Sequence, residues 1–123
     1  MARPFLGEDD AAYVVGMWLE EVGAAISVEV DRLWPGEDDG GRAQCLSEEA
    51  GEVSRAITKR RHASRSKSGT CKGMTVEQWT EELRLELAQT VGVCLDIAHR
   101  EGFDLAGDIE ACLGALRARP VDS

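Results

Sequence analysis

Apolar residues in this chain recur at helical spacing in four separate stretches, and no stretch alternates apolar and polar residues at period two. A half-buried strand needs that alternation, whereas an amphipathic helix needs a stripe at i, i+3, i+4 and i+7. The first stretch, from about Asp10 to Leu33, carries Val15, Trp18, Leu19, Val22, Ile26, Val30 and Leu33 on one face, and Pro35 and Gly36 stop it. Residues 35–41, PGEDDGG, read as an acidic, Gly-rich loop. The second stretch, from about Arg42 to His62, has the stripe Leu46, Ala50, Val53 and Ile57. The third opens sharply: Thr75 and Gln78 form a capping box, and Met74 is placed to staple onto Trp79. It runs to about Glu101, where Gly102 supplies a C-cap. The fourth, from Leu105 to about Arg119, puts Leu105, Ile109, Cys112, Leu113 and Leu116 on one face before Pro120 ends it. Four amphipathic helices with short connections predict an all-α four-helix bundle, one domain over residues 1–123. Gly16, Gly23, Gly51, Gly92, Gly107 and Gly114 fall inside the predicted helices. Each costs on the order of 1 kcal/mol relative to Ala, so some are expected where helices approach closely.

Composition narrows the class of partner. Hydrophobic residues make up 43% of the 123 residues, enough for a packed core. No apolar run approaches the roughly 20 residues of a membrane span, and MARPFLGEDD turns acidic too early for a secretory signal. The expectation is a cytoplasmic protein with no membrane partner. A net charge of −9 argues against nucleic acid, because phosphate contacts need a basic footprint. Cys45, Cys71, Cys94 and Cys112 lie 26, 23 and 18 residues apart, too far for a zinc knuckle. They read as free thiols, three on helix faces and Cys71 in a loop.

Some carboxylates stand where apolar residues belong. On a helical wheel Glu49 falls inside the apolar arc between Val53 and Ala56, Glu52 falls at its border beside Cys45, and Glu48 points further out. Glu86 falls between Val93 and Ile97, again inside the arc. Burying an unpaired carboxylate costs several kcal/mol, so such groups are paired, protonated or bound to metal. Three carboxylates on two helices facing one interior have the layout of a site for a hard divalent cation. Pairing with Lys or Arg on the helix face is the competing explanation.

The cations are equally uneven. Residues 53–76 contain no Asp or Glu but hold Arg55, Lys59, Arg60, Arg61, Arg65, Lys67 and Lys72, which is 7 of the 14 basic residues. Within that run ASRSKSGTCKGM, residues 63–74, reads as a flexible basic loop by composition. A carboxylate cluster adjoined by a basic helix end suits a cation plus a phosphate chain. A solvated surface is the plainer reading of the same charges. Trp18, Trp34 and Trp79 read as helix-face core rather than as platforms for a base.

Leu46-Ser47-Glu48-Glu49-Ala50-Gly51-Glu52-Val53 resembles the EExGE helix of the MazG-like all-α nucleoside triphosphate pyrophosphohydrolases. Glu86-Leu87-Ala88-Gln89, the long apolar helix ending in Gly102-Phe103-Asp104-Leu105, and the Arg117-Ala118-Arg119-Pro120 ending resemble later parts of the same pattern, so the resemblance covers about residues 42–120. It implies a MazG-type bundle assembled as a homodimer or tetramer. It also implies Mg²⁺, or Mn²⁺ in its place, held by Glu49, Glu52 and Glu86 with Gln89 as a weak fourth ligand. The implied reaction is (d)NTP + H₂O → (d)NMP + pyrophosphate, with Lys59, Arg60 and Lys72 as phosphate contacts. The chain departs from the family pattern in three ways. Gln89 stands where the family has Asp, 33 residues separate Glu52 from Glu86, and the last helix lacks the usual Asn and Lys. The first departure leaves one alternative open, a nucleotide-binding or regulatory member without turnover; a helical interaction protein with no nucleotide site is a further alternative.

Overall fold

The computed structural model describes residues 8–121, with side chains described from Tyr13 onward. Residues 1–7, on which the reading of the N-terminus as no secretory signal largely rests, lie outside that range. The described chain is α1 (Glu8–Leu33), α2 (Asp39–Arg65), β1 (Thr70–Cys71), β2 (Met74–Thr75), α3 (Val76–Glu101) and α4 (Leu105–Ala118). It is thus all-α but for one two-stranded antiparallel hairpin, in which Thr70 pairs with Thr75 and Cys71 with Met74. Among the described residues no helix is long and apolar enough to cross a membrane. Two compact units divide the chain: residues 34–94, and α1 together with the stretch from Leu95 through α4.

In the unit of residues 34–94, α2 starts three residues before the expected Arg42. Asp38 is the reason: its side chain accepts a hydrogen bond from the Gly41 N–H at 3.0 Å, satisfying an amide that the Gly-rich first turn would leave open. The capping box of α3 forms as expected, with the Thr75 N–H donating to Gln78 Oε1 at 2.9 Å and the Gln78 N–H donating to Thr75 Oγ1 at 3.2 Å. The core consists of Ala56 and Ala63 from α2 against Trp79 and Leu83 from α3, with Val53, Cys71, Met74 and Val76 packed around them. The small residues of α2 leave room for the indole of α3.

The segment expected as a structureless basic loop over 63–74 is instead regular. α2 continues through Arg65, and β1 and β2 follow. Lys72 and Gly73 have φ of 52° and 77°, the paired positive values of a two-residue type I′ hairpin turn. The serines that suggested mobility fasten the turn before β1: Ser66 Oγ donates to the Thr70 carbonyl at 2.9 Å, and the Thr70 N–H donates to Ser66 Oγ at 3.1 Å. The Trp79 indole N–H donates to the Cys71 carbonyl at 2.9 Å and ties the hairpin to α3. Cys71 therefore lies in a strand rather than a loop. Trp79, 1% exposed, is core as expected, but Trp18 and Trp34 are each 58% exposed.

In the other unit α1 lies against the end of α3 and against α4. Gly23 is buried, and a Cβ built there would stand 2.9 Å from the Leu95 carbonyl oxygen, so the close approach requires glycine. Beside it a polar network forms. Ser27 Oγ donates to Asp96 Oδ1 at 2.6 Å, and Arg100 donates to Asp96 Oδ1 at 2.7 Å, to Asp31 Oδ1 at 2.9 Å and to the Ser27 carbonyl at 3.2 Å. Those carboxylates hold the Arg100 guanidinium protonated beyond its already high ordinary value. α3 ends as expected at Gly102, with φ of 72°, in a Schellman motif closed by Phe103 N–H to Ala98 O at 2.9 Å and Gly102 N–H to His99 O at 3.2 Å. Asp104 then caps α4 through the Gly107 N–H.

Candidate functional site

Within residues 34–94, α2 and α3 each carry acidic residues one or two turns apart. Glu86 is 7% exposed, Glu49 is half-buried, and Glu48 faces solvent, which follows the wheel. Burial pushes the Glu86 carboxyl above its ordinary value, and the Glu49 carboxylate beside it pushes it the same way; Glu52 adds repulsion, while Glu82 acts in the opposite sense. Two carboxylates are therefore brought together across the two helices, and Glu82, which the sequence reading passed over, stands one turn behind.

Gln89 completes the pair. Its terminal amide atom lies 3.0 Å from Glu49 Oε2 and 3.1 Å from Glu86 Oε2. An amide oxygen there would meet only acceptors, so hydrogen bonding assigns the position to Nε2, which donates one N–H to each carboxylate. Gln89 thus acts as a hydrogen-bond donor to both carboxylates.

Glu52 does not join them. Its carboxylate reaches along α2 to Arg55, 3.6 Å away, and the Arg55 guanidinium lies over the Trp79 ring at 5.4 Å from its centroid. The expected convergence of Glu49, Glu52 and Glu86 is not what the side chains adopt, and among the described residues no three His, Cys, Asp or Glu gather about one point. The reason is electrostatic: a third carboxylate is repelled from the pair, and Arg55 one turn away offers it a partner.

The donor set still fits a hard cation. Glu49, Glu86 and Gln89 offer oxygen atoms on two facing helices, and Glu52 lies three residues beyond Glu49.

Lys59 and Arg60 are half-buried on α2, and Lys72 is exposed at the hairpin turn. No ion pair among the described residues engages any of the three. Arg60 and Arg61 line an open groove of about 360 Å³ with Ile57, Ser64, Val76 and Thr80. A larger cavity, about 420 Å³, lies in the other unit among Leu19, Leu95, Ala98, Phe103 and Leu105 and contains none of the expected site residues. No protein family, no curated protein and no solved structure matches the chain.

Proposed function

We propose that this protein is a Mg²⁺-dependent nucleoside triphosphate pyrophosphohydrolase that cleaves the α–β phosphoanhydride, giving a nucleoside monophosphate and pyrophosphate. The observation that carries the reading is the buried Glu86 facing Glu49 across the two helices, with Gln89 reaching both. Sequence resemblance to the MazG-like family supplies the reaction.

Glu49 and Glu86 would hold the ion, with the Gln89 amide oxygen as an uncharged ligand and Glu52 available once released from Arg55; Mn²⁺ would serve in place of Mg²⁺. When bound, the ion neutralises charge that develops on the departing pyrophosphate. The chain's own part is to position and to screen. Lys59, Arg60 and Lys72 oppose the repulsion that a net charge of −9 imposes on a triphosphate. A carboxylate of the site takes the proton of the attacking water as the new bond to the α-phosphorus forms and the bridging P–O bond breaks.

The reading includes a cytoplasmic setting, where free thiols persist, and a homo-oligomer. α4 buries none of its residues although Ile109, Leu113 and Leu116 form a stripe, and Ile109 and Leu116 are 53% and 62% exposed. A helix of this kind needs a surface to cover it, and a second copy is the occupant proposed.

A second reading, a nucleotide-binding member without turnover, is favoured by one observation: Gln89 meets both carboxylates as a hydrogen-bond donor. Pyrophosphate release from a panel of NTPs and dNTPs with Mg²⁺ separates the two. Binding without release selects the second, and neither binding nor release leaves the helical interaction protein.

A further inference from the structure

We propose that the cavity between α1, the end of α3 and the start of α4 binds a small amphipathic cation, a molecule with an apolar aryl or alkyl body and a protonated amine. All of its described lining belongs to the unit outside residues 34–94, so the proposal stands apart from the Glu49–Glu86 pair and from the reaction proposed above.

The space is there because the facing residues are small. α1 brings Gly16 and Ala24 to it, α3 brings Ala98, and α4 brings Ala106. A Cβ built at Gly16 would meet the Ala106 Cβ at 3.7 Å, an ordinary contact, so the helices leave room beside it. The volume, about 420 Å³, lies in the range of small-ligand sites. Leu95 and Ala98 are buried and give an apolar floor, and the Phe103 ring, 57% exposed, stands at the rim. An apolar body displaces water from that floor, and a ring gains contact with Phe103. The charge of the lining is one-sided. Glu20, Glu21 and Asp104 line the cavity with His99, and among the described residues no Lys or Arg does. Asp104 is engaged with the Gly107 N–H, whereas Glu20 and Glu21 enter no ion pair among the described residues. An adjoining open pocket shares Glu20 and Asp104 and adds the Tyr13 ring, so the acidic and aromatic character continues along α1 and α4. A polyanion is repelled from such a lining, a neutral molecule leaves the carboxylates unanswered, and a cation without an apolar body leaves the floor wet. Only the two properties in one molecule answer both.

The test titrates the full chain with three probes and follows backbone amide resonances. Phenethylammonium carries both properties, 2-phenylethanol keeps the body without the charge, and spermidine keeps charge with little apolar body. Phenethylammonium is expected to give saturable shifts at Gly16, Ala98 and Phe103 at about millimolar concentration. 2-Phenylethanol is expected to bind about fivefold or more weakly, as is phenethylammonium to the double variant Glu20→Gln, Glu21→Gln, which keeps the shape and removes two charges at exposed positions. Gly16→Leu sets a larger side chain against Ala106 and favours the helix, so it is expected to fold and to lose the shifts. Absence of phenethylammonium shifts at these residues in the wild type overturns the site. Equal affinity for phenethylammonium and 2-phenylethanol, or for wild type and the double variant, overturns the cationic part. Spermidine shifting the same amides at equal or lower concentration reduces the feature to an acidic surface and overturns the proposal. None of these results bears on pyrophosphate release.

Discussion

Glu86 carries a proton more readily in the folded chain than in the unfolded one, and this sets a sign. Its folded value is raised above the ordinary 4.5, chiefly by burial and then by Glu49. Between the unfolded and folded values the native state holds more protons, so this residue's contribution to stability falls as pH rises through that window. Metal-free thermal midpoints of Glu86→Gln measured from pH 4 to 8 are therefore expected to fall less with rising pH than those of the wild type, and to lie above them at neutral pH. A second residue-scale outcome concerns packing. Gly23→Ala sets a methyl 2.9 Å from the Leu95 carbonyl oxygen, and denaturant unfolding is expected to show a loss of about 1–3 kcal/mol. At this scale the sequence was informative where a residue contradicted its own helix. Glu49 and Glu86 stood inside apolar arcs, and the structure brings them together. Glu52 was legible only as a position, because its rotamer depends on Arg55 and on charge repulsion that no wheel shows. The Ser27–Asp96–Arg100–Asp31 network is not legible in the sequence, since its helix partners lie about seventy residues apart in the chain.

Helix ends were legible because each stands on a local hydrogen-bond pattern. The Thr75–Gln78 capping box and the Gly102 Schellman turn both appear where the residues indicated. Replacing Thr75 with Ala is expected to lower stability by about 1 kcal/mol in denaturant melts. The β1–β2 hairpin was not legible: two-residue strands have no periodicity to read, and Ser, Gly and Lys suggest mobility by composition. What distinguishes it is long-range or conformational, namely the Trp79 indole on the Cys71 carbonyl and the positive φ at Lys72 and Gly73. Gly73→Val is accordingly expected to destabilise the chain by more than a surface substitution does, and to speed hydrogen exchange at the Cys71 and Met74 amides.

For the whole molecule, charge and apolar exposure are the features that the proposed partners would answer. The chain has net charge −9 and concentrates half of its basic residues in 53–76, the segment proposed to meet a phosphate chain. Its exposed side chains include Tyr13 at 69%, Trp18 at 58% and Leu116 at 62%, residues that a 13.3 kDa protein is expected to cover by self-association. Light scattering at micromolar concentration should give at least twice that mass; a stable monomer would remove the oligomer from the reading. The most direct measurement is product analysis of nucleoside triphosphates incubated with Mg²⁺ and either the wild type or Glu86→Gln. The wild type is expected to release pyrophosphate and the monophosphate in equal amounts from at least one triphosphate, with Glu86→Gln slower by about 100-fold or more. Release of orthophosphate in place of pyrophosphate, no release from any triphosphate, or equal rates for the two proteins would contradict a pyrophosphohydrolase built on the Glu49–Glu86 pair.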